Sequence, residues 1–229
     1  QSFDELIKQI ISFLVESNYK VAKSASKFFN TILTSNKEQL QPYSLTIVQN
    51  LFLRLESTNG LQNQSILLQE MLIVTICNFC SNYGEDVTPE QLPQVILPYL
   101  PLTVKIKYGN IVYYLLFQSN LQAIIDGDEE LIKQMFRIFV LVISDQNKES
   151  NFLGKEVLYL MANYIDDHSH IFKTEEGVKD AIAQIIGDDE LALQSFYELY
   201  PLYLSEYNQM AHPDIDLEDV PLIDLTNEF

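Results

Sequence analysis

Apolar residues recur along most of this chain with the spacing of one helical face. A first stripe runs from Phe3 to Leu14 at intervals of three and four residues, and a second runs from about Tyr19 to Thr34. Ser2 and Glu5 form a capping-box pattern at the start of the first stripe. Only about four residues separate the two stripes, so the pattern predicts an antiparallel helical hairpin.

The same pattern predicts four further hairpins. The first helices of the five pairs start near Phe3, Leu40, Glu90, Asp128 and Glu175, which gives steps of 37, 50, 38 and 47 residues. These steps fit the two-helix repeats of HEAT and armadillo proteins, which are about 40 to 47 residues long. We therefore expect an all-α fold: a HEAT-like right-handed solenoid of about five hairpins at 1–207, followed by an acidic tail at 208–229. Such arrays are curved binding surfaces.

Helix boundaries are predicted from capping and breaking residues. Thr88, followed by a proline, is predicted to begin a short helix, and the apolar stretch from Val104 to Ser119 is predicted to be a buried helix rather than a strand. The stretch from about Gln62 to Tyr83 is apolar on nearly all sides, which is typical of a helix buried between neighbours. Thr174 and Gly187 bound the ninth helix, and Pro201 is expected to end the tenth.

Charge narrows the range of partners. The 229 residues contain 14 Lys and Arg against 32 Asp and Glu, a net charge of −18, and no Lys or Arg follows Lys179. Phosphates and anionic membrane surfaces attract cations, so this composition argues against nucleic acid and anionic membrane as partners. It favours a basic protein partner steered by the field, although acidity that only keeps the chain in solution gives the same count.

Other features of the composition bear on its surroundings. No apolar run approaches the ~18 to 20 residues of a membrane span, and no secretory signal is present. The two cysteines fit a reducing compartment rather than a disulfide scaffold. The chain starts at Gln1 rather than Met, so we expect it to be a piece of a longer protein.

A family resemblance rests on the residues between Val87 and Leu116. The run Leu92-Pro93-Gln94-Val95-Ile96-Leu97-Pro98-Tyr99-Leu100-Pro101-Leu102, followed by Val112-Tyr113 and Leu115-Leu116, resembles the late HEAT repeats of the karyopherin-β importins. The run from Leu131 to Phe139 is similar to the next repeat, and Gly187 to Phe196 to the final helix. The basic Lys105-Ile106-Lys107 and the bulky stretch from Met71 to Cys80 depart from the family pattern.

The resemblance implies a nuclear transport receptor of the cytoplasm and nucleus. Such receptors hold basic cargo, either a cargo signal or a histone-like or ribosomal protein, and bind the GTPase Ran mainly through N-terminal repeats, which are absent here. This chain would then be the cargo-side end. The alternative that the residues leave open is a HEAT-repeat scaffold or adaptor of an unrelated complex.

Candidate binding residues follow from charge and from the interface preference of tyrosine. The acids that we expect to attract a basic ligand are Glu70, Asp166, Asp167, Asp188, Asp189 and Glu190. Tyr113 and Tyr164 are the candidate aromatic anchors, with Tyr114 and Tyr197 as further possibilities. In each adjacent pair only one ring can point inward, so the pattern does not decide between anchor and core.

Motifs for catalysis or cofactors are weak. Cys77 and Cys80 form a C-x-x-C in mid-helix with no second pair, which indicates two core thiols. Asp126-Gly127-Asp128-Glu129-Glu130 begins like a calcium loop but places Leu131 where glycine is required, so it indicates a helix start. Asp166, His168 and His170 are the ligands to test if a metal binds, although a solvated loop is expected there. We predict no cofactor, no resident metal and no enzymatic activity.

Overall fold

The protein is described by a computed structural model that covers residues 2–58, 66–84, 86–104, 108–145 and 153–210. Every regular element in those ranges is helical, which confirms the predicted all-α class. The described residues belong to two compact units, one ending at Ile96 and one beginning at Leu97. The predicted tail lies outside the described residues from position 211 onward, as does Lys105-Ile106-Lys107.

The helices of the first unit are α1 (Phe3–Leu14), α2 (Tyr19–Ser35), α3 (Lys37–Leu40), α4 (Ser44–Glu56), α5 (Ile66–Tyr83) and α6 (Leu92–Ile96). Those of the second unit are α7 (Gly109–Leu116), α8 (Ser119–Asp126), α9 (Glu129–Ser144), α10 (Lys155–His168), α11 (Glu175–Ile186) and α12 (Glu190–Gln209). Short 3-10 turns occur at Gln41–Tyr43, Leu97–Tyr99 and Ser169–Phe172.

Two helical hairpins lie side by side in the first unit. α1 packs on α2 and α4 packs on α5, while α1 also contacts α4 and α2 contacts α5. The Tyr43 hydroxyl, just before α4, donates a 2.5 Å hydrogen bond to Asp4 at the start of α1. The Tyr83 hydroxyl, at the end of α5, donates a 2.7 Å bond to the carbonyl oxygen of Lys37, just beyond α2. Helices in equivalent positions of the two hairpins therefore run parallel.

The centre of the first unit is α5, which has buried residues on every side. Its run from Met71 to Cys80 is buried without interruption, as predicted from the lack of a polar face. By length and composition α5 could cross a membrane, with a mean hydropathy of 1.2, whereas we expected no stretch of that kind. A core helix passes the same test, and 67% of this one is buried, so α5 alone is weak evidence for a span.

A buried polar network joins α2 to α5. Asn30 Nδ2 donates a 2.6 Å hydrogen bond to Thr75 Oγ1, and Asn78 Nδ2 donates a 3.1 Å bond to Asn30 Oδ1. Thr75 Oγ1 in turn donates to the carbonyl oxygen of Met71. Because all three side chains are almost fully buried, each bond satisfies a group that water does not reach.

The second unit is built around an aromatic cluster. Phe139 of α9 stacks on Phe117 at a centroid distance of 5.3 Å and meets Tyr164 of α10 edge-on at the same distance. Tyr113 of α7 contacts Phe139 edge-on at 6.3 Å. α12 packs on both α9 and α10, and α11 packs on α9. The cluster therefore joins α7, α9 and α10 in one core.

The last helix continues past Pro201, where the sequence predicted that it would end. α12 continues to Gln209 with Pro201 inside it. Proline removes one backbone hydrogen bond, but contacts on both sides of it hold the helix against α10: the Tyr200 hydroxyl donates to Asp166 at 3.3 Å, and the Tyr203 and Tyr159 rings lie 5.9 Å apart. The earlier residue of α12 contacts the later residue of α10 in these two contacts. The helices α12 and α10 are therefore antiparallel, whereas α2 and α5 are parallel.

The stretch between α5 and α9 also differs from the predicted hairpin. α6 begins at Leu92 rather than next to Thr88, whose hydroxyl donates a 2.9 Å hydrogen bond back to the carbonyl oxygen of Gly84. The predicted helix from Val104 to Ser119 is shorter, and an unpredicted helix, α8, follows it. Gln118 has an extended backbone, with φ −61° and ψ 138°, which separates α7 from α8.

Where a side chain caps a helix, the predicted start is confirmed. Ser2 and Glu5 form the capping box of α1, Asp128 accepts from Glu130 N at the start of α9, and Thr174 accepts from Gly177 N at the start of α11. Gly187 follows α11 with a φ of +71°, a value that favours glycine.

We expect Asn30→Ala to lower the free energy of unfolding by about 1 to 3 kcal/mol, because the change leaves Asn78 Nδ2 and Thr75 buried without their partner. Urea unfolding followed by circular dichroism measures the loss. Gln49→Ala, at an exposed position of α4, is the control and should change stability by less than about 0.5 kcal/mol. Equal effects of the two changes would contradict a structural role for the network.

Candidate protein-binding surface

Two of the predicted acids lie at the end of α10. Asp166 and Asp167 are both exposed. Asp166 accepts the 3.3 Å hydrogen bond from Tyr200, and Asp167 accepts a 2.8 Å bond from Asn163 Nδ2. These bonds orient both carboxylates, and their exposure leaves them open to a ligand.

Three more predicted acids lie between α11 and α12. Asp188, Asp189 and Glu190 are all exposed. Asp189 caps α12 by accepting a 3.0 Å hydrogen bond from Ala192 N, and acids at this end of a helix also interact favourably with its dipole. The cap explains why an aspartate occupies position 189. Asp188 and Glu190 add negative charge that the cap does not require.

The two groups of acids are separate patches. Tyr200, which contacts Asp166, lies ten residues after Glu190 along α12. At a helical rise of about 1.5 Å per residue this is about 15 Å along the helix axis. A ligand that contacts both patches must therefore be an extended peptide or a protein surface rather than one side chain.

The remaining three candidates are buried. Glu70 and Tyr113 are each 2% exposed, as is Tyr164, so none of them presents its side chain to the surface of this structure. Tyr113 and Tyr164 belong to the aromatic core around Phe139. Of the two further tyrosines, Tyr114 is partly buried and Tyr197 is 44% exposed.

The Tyr164 hydroxyl has no hydrogen-bond partner among the described residues, although it is buried. Burial, and then the nearby charge of Asp126, raise the pKa of Tyr164 above its ordinary range. The Tyr200 hydroxyl differs because it has Asp166 as an acceptor, and burial is again the main cause of its raised pKa.

A side-chain contact that the sequence did not predict joins α8 to α10. His168 Nε2 lies 3.1 Å from Asp126 Oδ1, and His168 Nδ1 lies 3.0 Å from the carbonyl oxygen of Tyr164. The imidazole also stacks on the Tyr164 ring at 3.9 Å. The contact brings Asp126, and with it the acidic start of α9, to the end of α10 that carries Asp166. The sequence gave no local signal for this contact, because Asp126 and His168 are 42 residues apart.

The same geometry bears on the metal hypothesis. Both nitrogens of His168 face protein oxygens, and His170 Nδ1 lies 2.7 Å from the carbonyl oxygen of Asp167. Among the described residues no group of three or more potential ligands could hold a metal ion. Asp128, the second acid of the calcium-like run, accepts hydrogen bonds from backbone N–H groups as the cap of α9.

The cysteines are core thiols, as predicted. Cys77 and Cys80 are free and fully buried. Burial, and then the neighbouring Cys80, raise the pKa of Cys77 well above its ordinary value. Burial raises the pKa of Cys80 to about 12, against a smaller lowering by its hydrogen bond with Thr88. A thiolate is therefore scarce at neutral pH.

Two exposed ion pairs are described on α9 and α11. Lys133 contacts Glu129 at 2.6 Å and Lys179 contacts Glu175 at 2.8 Å, each one helical turn apart. The hydrogen bond from each lysine, followed by its charge, lowers the pKa of the paired glutamate. Because both pairs are exposed, solvent screens them, and each contributes little to stability.

No protein-family model, curated protein or solved structure matches this chain.

We expect Tyr164→Phe to leave the free energy of unfolding unchanged or to raise it by up to about 1 kcal/mol, because it removes a buried hydroxyl that has no partner. Tyr200→Phe is the matched control and should lower it by about 0.5 to 1.5 kcal/mol, since Asp166 loses its donor. Urea unfolding of both variants tests this. A large loss in Tyr164→Phe would show that the hydroxyl has a stabilising partner.

We expect neither Cys77 nor Cys80 to react with a thiol-specific disulfide reagent in the native protein at pH 8, because raised pKa values keep both thiols protonated and burial blocks access. Both should react at once in urea. The sign for stability follows: since the unfolded thiols ionise near pH 8.5 and the folded ones do not, their contribution is lost as pH rises above that value. Rapid native labelling would contradict the prediction.

Proposed function

We propose that this chain is a non-catalytic, protein-binding helical-repeat scaffold that recognises a basic protein ligand. The observation that carries the proposal is the set of exposed acids on the second unit, namely Asp166, Asp167, Asp188, Asp189 and Glu190. They belong to a chain of net charge −18 in which no Lys or Arg follows Lys179. Such a surface attracts and orients cationic partners.

The packing of the first unit supports the solenoid part of the proposal. In stacked two-helix repeats each helix contacts its counterpart in the next repeat. α1 and α4 have this relation, as do α2 and α5, and each pair runs parallel. In the second unit α12 runs antiparallel to α10, so this hairpin does not follow the parallel relation of the first unit.

The resemblance to karyopherin-β importins makes the cargo-side end of a transport receptor the specific form of this proposal. On that reading the ligand is a basic cargo signal or a histone-like or ribosomal protein, and the protein works in the cytoplasm and nucleus. The buried candidates are not assigned to the ligand contact in this proposal; they are Glu70, Tyr113 and Tyr164.

A scaffold of an unrelated complex is the second candidate, and exposed apolar side chains favour it. Leu191 is 80% exposed, Leu202 is 60% exposed and Leu53 is 58% exposed, all on helices. Docking through such residues would depend on buried apolar area rather than on charge, and would respond little to salt.

Fluorescence anisotropy with a labelled nuclear-localisation peptide tests the proposal. Replacing the five exposed acids by their amides should weaken binding at least about tenfold, because each removes one attractive charge. Affinity of the unaltered protein should also fall steeply as salt is added. Glu16, Glu38 and Glu56, which are exposed on the first unit, give a control triple Gln variant that should bind within about twofold of the original.

Two outcomes separate the candidates. A scrambled peptide of equal charge that binds as well as the localisation peptide would support basic-ligand binding but contradict a transport receptor. Binding that salt does not weaken, or that the five changes leave intact, would contradict recognition by these acids altogether.

A further inference from the structure

An arginine of the first unit is buried without an acid beside it. Arg54 of α4 is 8% exposed, and it forms no ion pair with any carboxylate of the described residues. Arginine is rarely buried unless it is paired, because a charge removed from water needs an opposite charge or a full set of hydrogen bonds. The last turn of α4 suits a cation, but the helix dipole does not replace hydrogen-bond acceptors.

The fold uses only part of the hydrogen-bonding capacity of this guanidinium. Arg54 Nη1 donates a 3.1 Å bond to Ser57 Oγ, and Nη2 donates a long bond of 3.5 Å to the carbonyl oxygen of Ser17. Nε is buried and has no hydrogen-bond partner within the described ranges. Since a guanidinium carries five N–H donors, most of the donors of Arg54 have no described acceptor.

The tip of Arg54 lies beside the start of α2. Ser17, whose carbonyl oxygen it contacts, directly precedes Asn18, the N-cap of this 17-residue helix. The Asn18 side chain accepts from the N–H group of Lys20, whereas the N–H group of Tyr19 has no acceptor in the part of the chain that the structure describes. The N-terminus of a helix also carries partial positive charge. Unused donors of two kinds are therefore close together here.

Lysines add to this positive charge rather than offset it. Lys20 is exposed and Lys23 is partly exposed in the first two turns of α2, and neither pairs with a described carboxylate. The nearest acids along the chain, Glu16 and Glu56, are both exposed. Residues 2–58 contain six Lys and Arg and five Asp and Glu, so the strong negative charge of the whole chain is not a property of this part.

We propose that Arg54 and the N-terminus of α2 together form a binding site for a phosphate group. The guanidinium donates to the phosphate oxygens, the N–H group of Tyr19 donates to the same group, and Lys20 supplies a second positive charge. A phosphate monoester carries nearly two negative charges at pH 7, which matches two cations better than a single carboxylate does. Ser17 and Ser57, which the guanidinium contacts, are both exposed, so its tip lies directly beneath the surface.

The site is independent of the proposed function, because it uses residues of the first unit only. Backbone amide chemical shifts of the full ¹⁵N-labelled chain test it, as inorganic phosphate replaces chloride at constant ionic strength. We expect saturable shifts at the amides of residues 17–20.

Three variants assign the binding to the named groups. Arg54→Lys should weaken phosphate binding at least about tenfold, because lysine keeps the charge but not the parallel donors. Lys20→Gln should weaken it at least about threefold, since one attractive charge is lost. The control, Lys37→Gln, removes an equally exposed lysine beyond the other end of α2 and should leave the affinity unchanged within about 1.5-fold.

A phosphoserine peptide and its unphosphorylated form distinguish the source of the phosphate. Binding of the phosphopeptide at the same amides, at least about tenfold tighter than inorganic phosphate, would assign the site to a phosphorylated protein, and weaker binding than that would assign it to the free anion. Shifts that do not saturate, that are equally large at the starts of other helices, or that Arg54→Lys leaves intact would overturn the proposal. If Arg54→Lys does not fold, Lys20→Gln compared with Lys37→Gln decides the question.

Discussion

A helix that is apolar on every side must be covered on every side, and α5 imposes this requirement on the first unit. α2 and α4 cover two of its sides, and burial is continuous from Met71 to Cys80. Apolar contacts are nearly non-directional, so they fix that α5 is buried but not its register. The hydrogen bonds from Asn30 to Thr75 and from Asn78 to Asn30 are directional, and they fix the register of α5 against α2. Register follows because a shift of one residue would leave these buried groups unpaired.

The sequence predicts those parts of the fold that depend on nearby residues. Helix starts are predicted wherever the cap and the capped N–H group lie within three residues, as at Ser2, Asp128 and Thr174. The errors lie where a distant contact or an alternative bond decides. Thr88 donates backwards to Gly84, and α12 passes Pro201 because Tyr200 and Tyr203 contact α10, more than 30 residues earlier.

The candidate surface is predicted in part for the same reason. Charged side chains are mostly exposed in folded proteins, and the five acids Asp166, Asp167, Asp188, Asp189 and Glu190 are exposed as expected. Exposure of a tyrosine or of an acid on an apolar helix depends on packing, and Glu70, Tyr113 and Tyr164 are buried. The contact of His168 with Asp126 joins two segments that the sequence gives no reason to pair. The fold thus brings the end of α8 next to the end of α10, which neither segment predicts.

Solubility alone and partner binding both account for a net charge of −18, but they differ in how the charge should be arranged. Charge that only keeps a protein in solution works well when both signs are interspersed, because self-repulsion then stays small. Here the signs are segregated at one end of the sequence: no Lys or Arg follows Lys179, whereas some lysines before it pair with acids, as Lys133 does with Glu129. Segregation increases repulsion within each region and creates a field that varies across the molecule. A cationic ligand bound in such a field would lower that repulsion, and solubility alone does not require the acids to be gathered in this way.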